Sequence, residues 1–202
     1  PAAWMSEGLF SLVYRLLKRR DAPGAPTYLM GFDSLPIQAE KALYDLAQWA
    51  QERADLAAYL RATPALQLVT HLEAEPAPSE IEADVWSEWR RRFCTYLRDY
   101  GHTIYTLDFG NPVPADDPSP VLETLKLFMD GQGVNPHERQ QKSVQRRDAA
   151  TATTRQRLKG LHLNVFQKTL ARAQRYAPLR EDGLAAVGLS YPLVRQMFLE
   201  LG

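Results

Sequence analysis

One cysteine, Cys94, among 202 residues leaves no pair for a disulfide, which fits a reducing, cytoplasmic setting and a fold held by burial alone. Long uncharged apolar runs are also missing. Arg15 and the Lys18-Arg19-Arg20 run close the first apolar stretch well short of a membrane span. The opening PAAWMSEGLF has no basic region ahead of its apolar residues, so no secretory signal is read there. With no initial Met and no polar tail after Leu201-Gly202, the expectation is a piece of a longer polypeptide. No P-loop and no dinucleotide-type glycine turn is present, which removes both common phosphate cradles. His71, His102, His137 and His162 share no metal-ligand spacing, so no metal site is expected. Ser34 and Ser190 lie in no nucleophile elbow. Strand-like alternation, Asn-Gly hairpins and internal repeats are absent as well, and the expected fold class is all-α.

What is present is apolar enough to fold. Hydrophobic residues make up 45% of the chain, with four Trp, and a chain of this length can bury a core. The periodicity predicts a multi-helix, bundle-like or orthogonal domain over residues 1–202, with a possible subdivision near 131–135. Met5, Leu9, Leu12, Val13, Leu16 and Leu17 recur at three and four and are the expected core face of a first helix. A second helix is expected from Pro36 to Leu60, with Leu43, Leu46, Trp49 and Ala50 along its stripe. Ser79 and Glu82 form a capping-box pattern ahead of Val85, Trp86, Trp89, Phe93, Tyr96 and Leu97, an aromatic stripe that reads as core. Val121, Leu122, Leu125, Phe128 and Met129 mark another helix. From Arg139 to Arg157 only Val144 is large and apolar, so this long polar helix is expected to be exposed. Apolar stripes return over 161–173 and again over 187–201.

Charge is balanced in total and unbalanced in place. Residues 136–182 hold eleven Lys/Arg against four Asp/Glu, a net of about +7 that leaves about −7 elsewhere. A solvated helix face, docking between helical layers and a phosphate-facing surface all fit that segment.

Candidate chemistry collects between two helical segments, in YGHTIYTLDFGNPVPADDPSP from Tyr100 to Pro120. Gly101 frees the backbone there and four prolines forbid a continuing helix, so His, Tyr and Asp side chains are held on an irregular loop. His102, beside Gly101 and near Asp108, can exchange a proton near neutral pH or can simply fasten the loop. Arg180, next to Glu181 and Asp182, can grip a phosphate or carboxylate at two points or can pair with its neighbours.

YGH followed by LDF and a Pro-rich run into DDP resembles the central region of phosphoenolpyruvate synthase-like and rifampicin phosphotransferase-like proteins. GFDSLPIQAEKALYDLA at 31–47, NPHERQQKSVQRR at 135–147, LREDGLAAVGLSYPLVRQ at 179–196 and the final ELG agree in order. The resemblance implies a central helical, acceptor-binding and linking domain of an ATP-dependent phosphotransferase. Its partners are then an ATP-grasp domain and a domain with a phosphorylated His in the same chain. ATP and Mg belong to that parent, none to this part, and no catalytic residue is assigned here. By the same resemblance Tyr100, Gly101 and His102 match a Tyr-Gly-His motif, and Arg180-Glu181 an Arg-Glu pair before the last helix. Asp108 completes the substrate-binding candidates. Thr103 stands where relatives often carry Arg, and Leu184 where antibiotic-modifying members carry Lys, so the acceptor is left open.

Two other readings compete. One is a basic interaction module for nucleic acid or an acidic protein. Nucleic acid is disfavoured because Phe166 and Tyr176 are the only aromatics among the cations of 136–182. The other is a ligand-free helical strut.

Overall fold

The computed structural model describes the backbone of residues 2–74, 77–103 and 112–201, with a few helix side chains left undescribed, Arg180 and Glu181 among them. Among the described residues the fold is all-α: eight helices, one short 3-10 turn and no strand. The helices are α1 (Ala2–Leu17), α2 (Leu35–Gln51), α3 (Ala54–Ala62), α4 (Ala65–Glu73), α5 (Ala83–Tyr100), α6 (Ser119–Met129), α7 (Pro136–Arg157) and α8 (Gly160–Leu201). No helix among the described residues is long and apolar enough to cross a membrane. The chain divides into two compact units. The first comprises residues 1–34 and 136–183, the second residues 35–135 and 184–202.

In the first unit, four aromatic rings form the core. Phe10 and Tyr14 on α1 stack with centroids 5.7 Å apart, and Tyr28 of the 3-10 turn Ala25–Leu29 meets Phe166 of α8 edge-on at 5.8 Å. Leu170 and Ala173 of α8 are buried with them. A buried aromatic core of this kind still needs partners for its hydroxyls. Here they form a chain: Tyr14 Oη donates to the Pro23 carbonyl at 3.0 Å, and 2.8 Å links join Tyr14 to Tyr28 and Tyr28 to Thr154 Oγ1 on α7. Burial, and then the bond to Tyr28, push the Tyr14 phenol well above its ordinary range, so it stays neutral. Removing the middle member by Tyr28→Phe takes this partner from Thr154 Oγ1, while Tyr14 keeps the Pro23 carbonyl, and should cost about 1–3 kcal/mol in urea denaturation. Little or no loss would show that the chain contributes nothing to stability.

This network also accounts for the polarity of α7. That helix packs on the 3-10 turn through Thr151 and Thr154 rather than through large apolar side chains. Arg147 lies over the Phe32 ring at 4.8 Å and donates to the Met30 carbonyl at 3.3 Å, while Gln140 donates to Asp33 at 3.2 Å. Gly31, at φ +78°, lets the loop approach the α7 backbone.

One expectation is overturned here. Four of the six residues of the expected core face of α1, Met5, Leu9, Leu12 and Leu16, are exposed; Val13 and Leu17 are half-buried, Leu17 against the core, and Ser6, Phe10 and Tyr14 are buried instead. Two aromatics outcompete the aliphatic stripe because α1 is apolar on both sides.

The second unit is built on the aromatic stripe of α5. Trp86, Trp89, Phe93 and Tyr96, spaced at three and four, pack with Leu43 and Ala47 of α2, Leu56 and Leu60 of α3, Leu68 of α4, and Leu122 and Leu125 of α6. Polar ties pin α3 to α6: Lys126 Nζ donates to the Thr63 carbonyl at 2.7 Å, and Arg61 reaches Asp130 at 2.8 Å. The expected helix over 36–60 is two helices. Arg53 stacks on Trp49 at 3.9 Å and donates to its carbonyl, which closes α2 before α3 begins. The Ser79–Glu82 capping box is not made either. Ile81 is buried and its N–H bonds Pro78, so the chain turns there and Glu82 precedes α5 without a side-chain cap. The two stripes expected over 161–173 and 187–201 lie on one helix, α8, whose first part belongs to the first unit.

Candidate functional site at the end of helix α5

Helix α5 ends on three of the residues singled out by sequence. Tyr100 is its last residue, half-buried, with its ring 5.5 Å from Tyr96. Gly101 caps it in right-handed geometry, its N–H donating to the Leu97 carbonyl at 2.7 Å. Its own carbonyl accepts from Ala115 N–H at 2.9 Å, which draws the Pro-rich segment back over the helix end. A Cβ at position 101 would collide with the Leu97 carbonyl and come within 3.0 Å of Ala115 Cβ. Space, not backbone dihedral, therefore requires glycine here.

The next two residues carry an unusual feature. His102 Nδ1 and Thr103 Oγ1 are both buried and both lack a hydrogen-bond partner among the described residues, although the Thr103 N–H is tied to the Tyr100 carbonyl at 3.0 Å. Thr103 is only 3% exposed. Buried polar atoms are nearly always satisfied, because an orphan costs about 1–3 kcal/mol. Two on adjacent residues mark the turn as a place where a hydrogen-bonding group would be welcome.

Tyr100 also lines a groove of about 380 Å³ between α2 and α5, with Asp45 and Leu46 on one wall and Arg91, Arg92, Thr95 and Asp99 on the other. The arginines are held in place. Glu88 bridges to Arg91 and Arg92 at 2.7 Å each, and Arg92 lies 4.7 Å from the centre of the Trp49 ring. The groove thus offers two cations, two carboxylates and two phenol rings along the second half of α5, a surface suited to a polar ligand with an aromatic part.

Hydrogen bonding by Arg91, and then by Arg92, holds the Glu88 carboxyl at about 2 instead of its ordinary 4.5, against partial desolvation. A depressed carboxyl stabilises the folded arrangement fully above its unfolded value and loses that contribution as pH falls through its folded value. Acidification from about pH 5 toward pH 2 should therefore release Arg91 and Arg92. NMR titration of the Glu88 carboxyl checks this, and a midpoint near 4.5 would mean that the bridge is not formed in solution.

The remaining candidates do not line this groove among the described residues. Asp108 lies in 104–111, outside the described residues. Arg180 and Glu181 fall on α8 within the first unit, whereas Tyr100, Gly101 and His102 belong to the second. The groove residues Asp45, Arg91, Arg92 and Asp99 were not anticipated. Their signal is the polar spacing Glu88-Arg91-Arg92-Thr95-Asp99 along one side of α5, which resembles any solvated helix face.

An all-helical domain with a polar groove at a Tyr-Gly-His turn is the class defined so far. The profile of the rifampicin phosphotransferase fourth domain matches residues 2–181, and the chain belongs to that family. Neither a curated protein nor a solved structure matches the chain.

Proposed function

We propose that this chain is the acceptor-binding and linking domain of an ATP-dependent phosphotransferase that carries phosphate on a histidine in another domain. The observation that carries the reading is the α2–α5 groove with Asp45, Arg91, Arg92, Asp99, Tyr96 and Tyr100 on its walls, followed directly after Tyr100 by the buried atoms His102 Nδ1 and Thr103 Oγ1, which have no partner among the described residues. A hydroxyl-bearing acceptor would lay its apolar body against Tyr96 and Tyr100, and a shift of the turn would bring the two buried atoms to its hydroxyls. Family membership supports a rifampicin-like acceptor, an aromatic molecule with several hydroxyls. Among the described residues no three His, Cys, Asp or Glu side chains converge on a metal position. On this reading the part of this chain is to bind and orient the acceptor.

Rifampicin is the probe for this reading. Titrated into the chain, it should shift the amide signals of Tyr100, Gly101, His102 and Thr103. Replacing both orphans, as His102→Ala with Thr103→Val, should weaken binding about tenfold or more, since each hydrogen bond is worth on the order of 1 kcal/mol. Unchanged affinity in the double variant, or shifts confined to other residues, would remove the acceptor role. Conversion of ATP to AMP and phosphate by the chain alone would contradict it too.

A further inference from the structure

Helix α1 is apolar on both sides, and only one side is used within its own unit. Phe10 and Tyr14 fill the core, while Met5, Leu9, Leu12 and Leu16 form a continuous stripe on the far side at spacings of three and four. Met5 is 71% and Leu16 80% exposed, and Trp4 at the start of the stripe is 64% exposed. A helix apolar all round belongs inside a larger assembly, and an exposed stripe of this length marks a contact surface.

Charge says what covers it. Arg15, Lys18, Arg19 and Arg20 are exposed at the end of the stripe and make no ion pair among the described residues. Arg15 and Lys18, with Ser11, Tyr14, Ala25 and Pro26, also line a hollow of about 220 Å³ on the flank of α1 that faces the 3-10 turn. The whole first unit carries fifteen Lys/Arg against seven Asp/Glu, a net of +8. We propose that this face docks an amphipathic helix of a protein partner whose apolar stripe is flanked by Asp or Glu, its carboxylates meeting the exposed cations at the end of the stripe. Pairing of two α1 faces from two copies is opposed by the +8 on each. A lipid surface fits less well, because the cations gather at one end of the stripe and are not spread along both its borders.

The test uses the intact chain and two fluorescein-labelled synthetic peptides, both Leu-striped amphipathic helices, one flanked by Glu and the other by Lys. Anisotropy titration should show the Glu peptide binding at least tenfold more tightly, with affinity falling as salt rises. Leu12→Gln with Leu16→Gln, both on the exposed side, should cost tenfold or more in affinity while the circular dichroism spectrum is unchanged. Arg15→Gln with Lys18→Gln should weaken binding and flatten its salt dependence. Equal affinity for the two peptides, or full binding by the Leu variant, overturns the proposal. So does a dimer in sedimentation that the Leu variant abolishes, α1-dependent binding to phosphatidylglycerol vesicles, or duplex DNA displacing the Glu peptide.

Discussion

Trp89→Ala should cost about 3–5 kcal/mol of folding stability, the largest loss expected of any single change considered in this chain. Trp89 is fully buried, stacks on Phe93 with centroids 5.5 Å apart, and lies where α5 meets the other helices of the second unit. Truncation removes the transfer free energy of an indole and leaves a cavity that four surrounding helices cannot close without losing their own contacts. Domains of this size are typically stable by about 5–15 kcal/mol, so the variant should be marginal or unfolded near body temperature. Urea denaturation followed by far-ultraviolet circular dichroism is the check, with the loss read as a fall in midpoint at an unchanged slope. A loss under about 1 kcal/mol would mean that α5 is not the centre of the core.

The stripe behind that expectation was legible because it is unambiguous. Apolar residues at three and four on α5 face polar ones opposite, and only one side can be buried. On α1 the same rule failed for a physical reason. Both sides are apolar, and periodicity locates apolar sides without saying which one the rest of the chain covers. The break between α2 and α3 was hidden in a similar way, since Glu52 and Arg53 are good helix formers. It takes the tertiary stack of Arg53 on Trp49 to end the helix.

At the candidate site the turn was legible and the groove was not. Gly101 and the prolines that follow are local signals, readable within a few residues. The groove needs Asp45 on α2 opposite Arg91 and Arg92 on α5, a juxtaposition created only by packing. Thr103 drew attention as a departure from the relatives, a Thr where they carry Arg. Its orphaned hydroxyl, the property that now matters, has no sequence signal at all.

The GFDSLP segment shows how a motif noticed only by resemblance acquires a physical cause, and it gives the second large effect. Gly31 sits at φ +78°, and a Cβ there would lie 2.7 Å from the Val144 backbone nitrogen and 3.0 Å from its Cγ2. Two penalties therefore add in Gly31→Ala. The left-handed conformation costs an ordinary residue about 1–2 kcal/mol. Forcing the loop away from α7 adds about 1–3 kcal/mol, because the obstacle is helix backbone and cannot rotate aside. The displaced loop would also lose the Arg147 stack on Phe32 and the Gln140 bond to Asp33, which depend on the same close approach. Gly131 supplies the comparison: its φ is +68°, but nothing lies within 4 Å of a Cβ built there. Gly131→Ala should thus show the conformational cost alone, and Gly31→Ala on the order of twice that loss or more in the same denaturation experiment. Equal losses would mean that the loop does not rest on α7, and the polarity of that helix would need another cause.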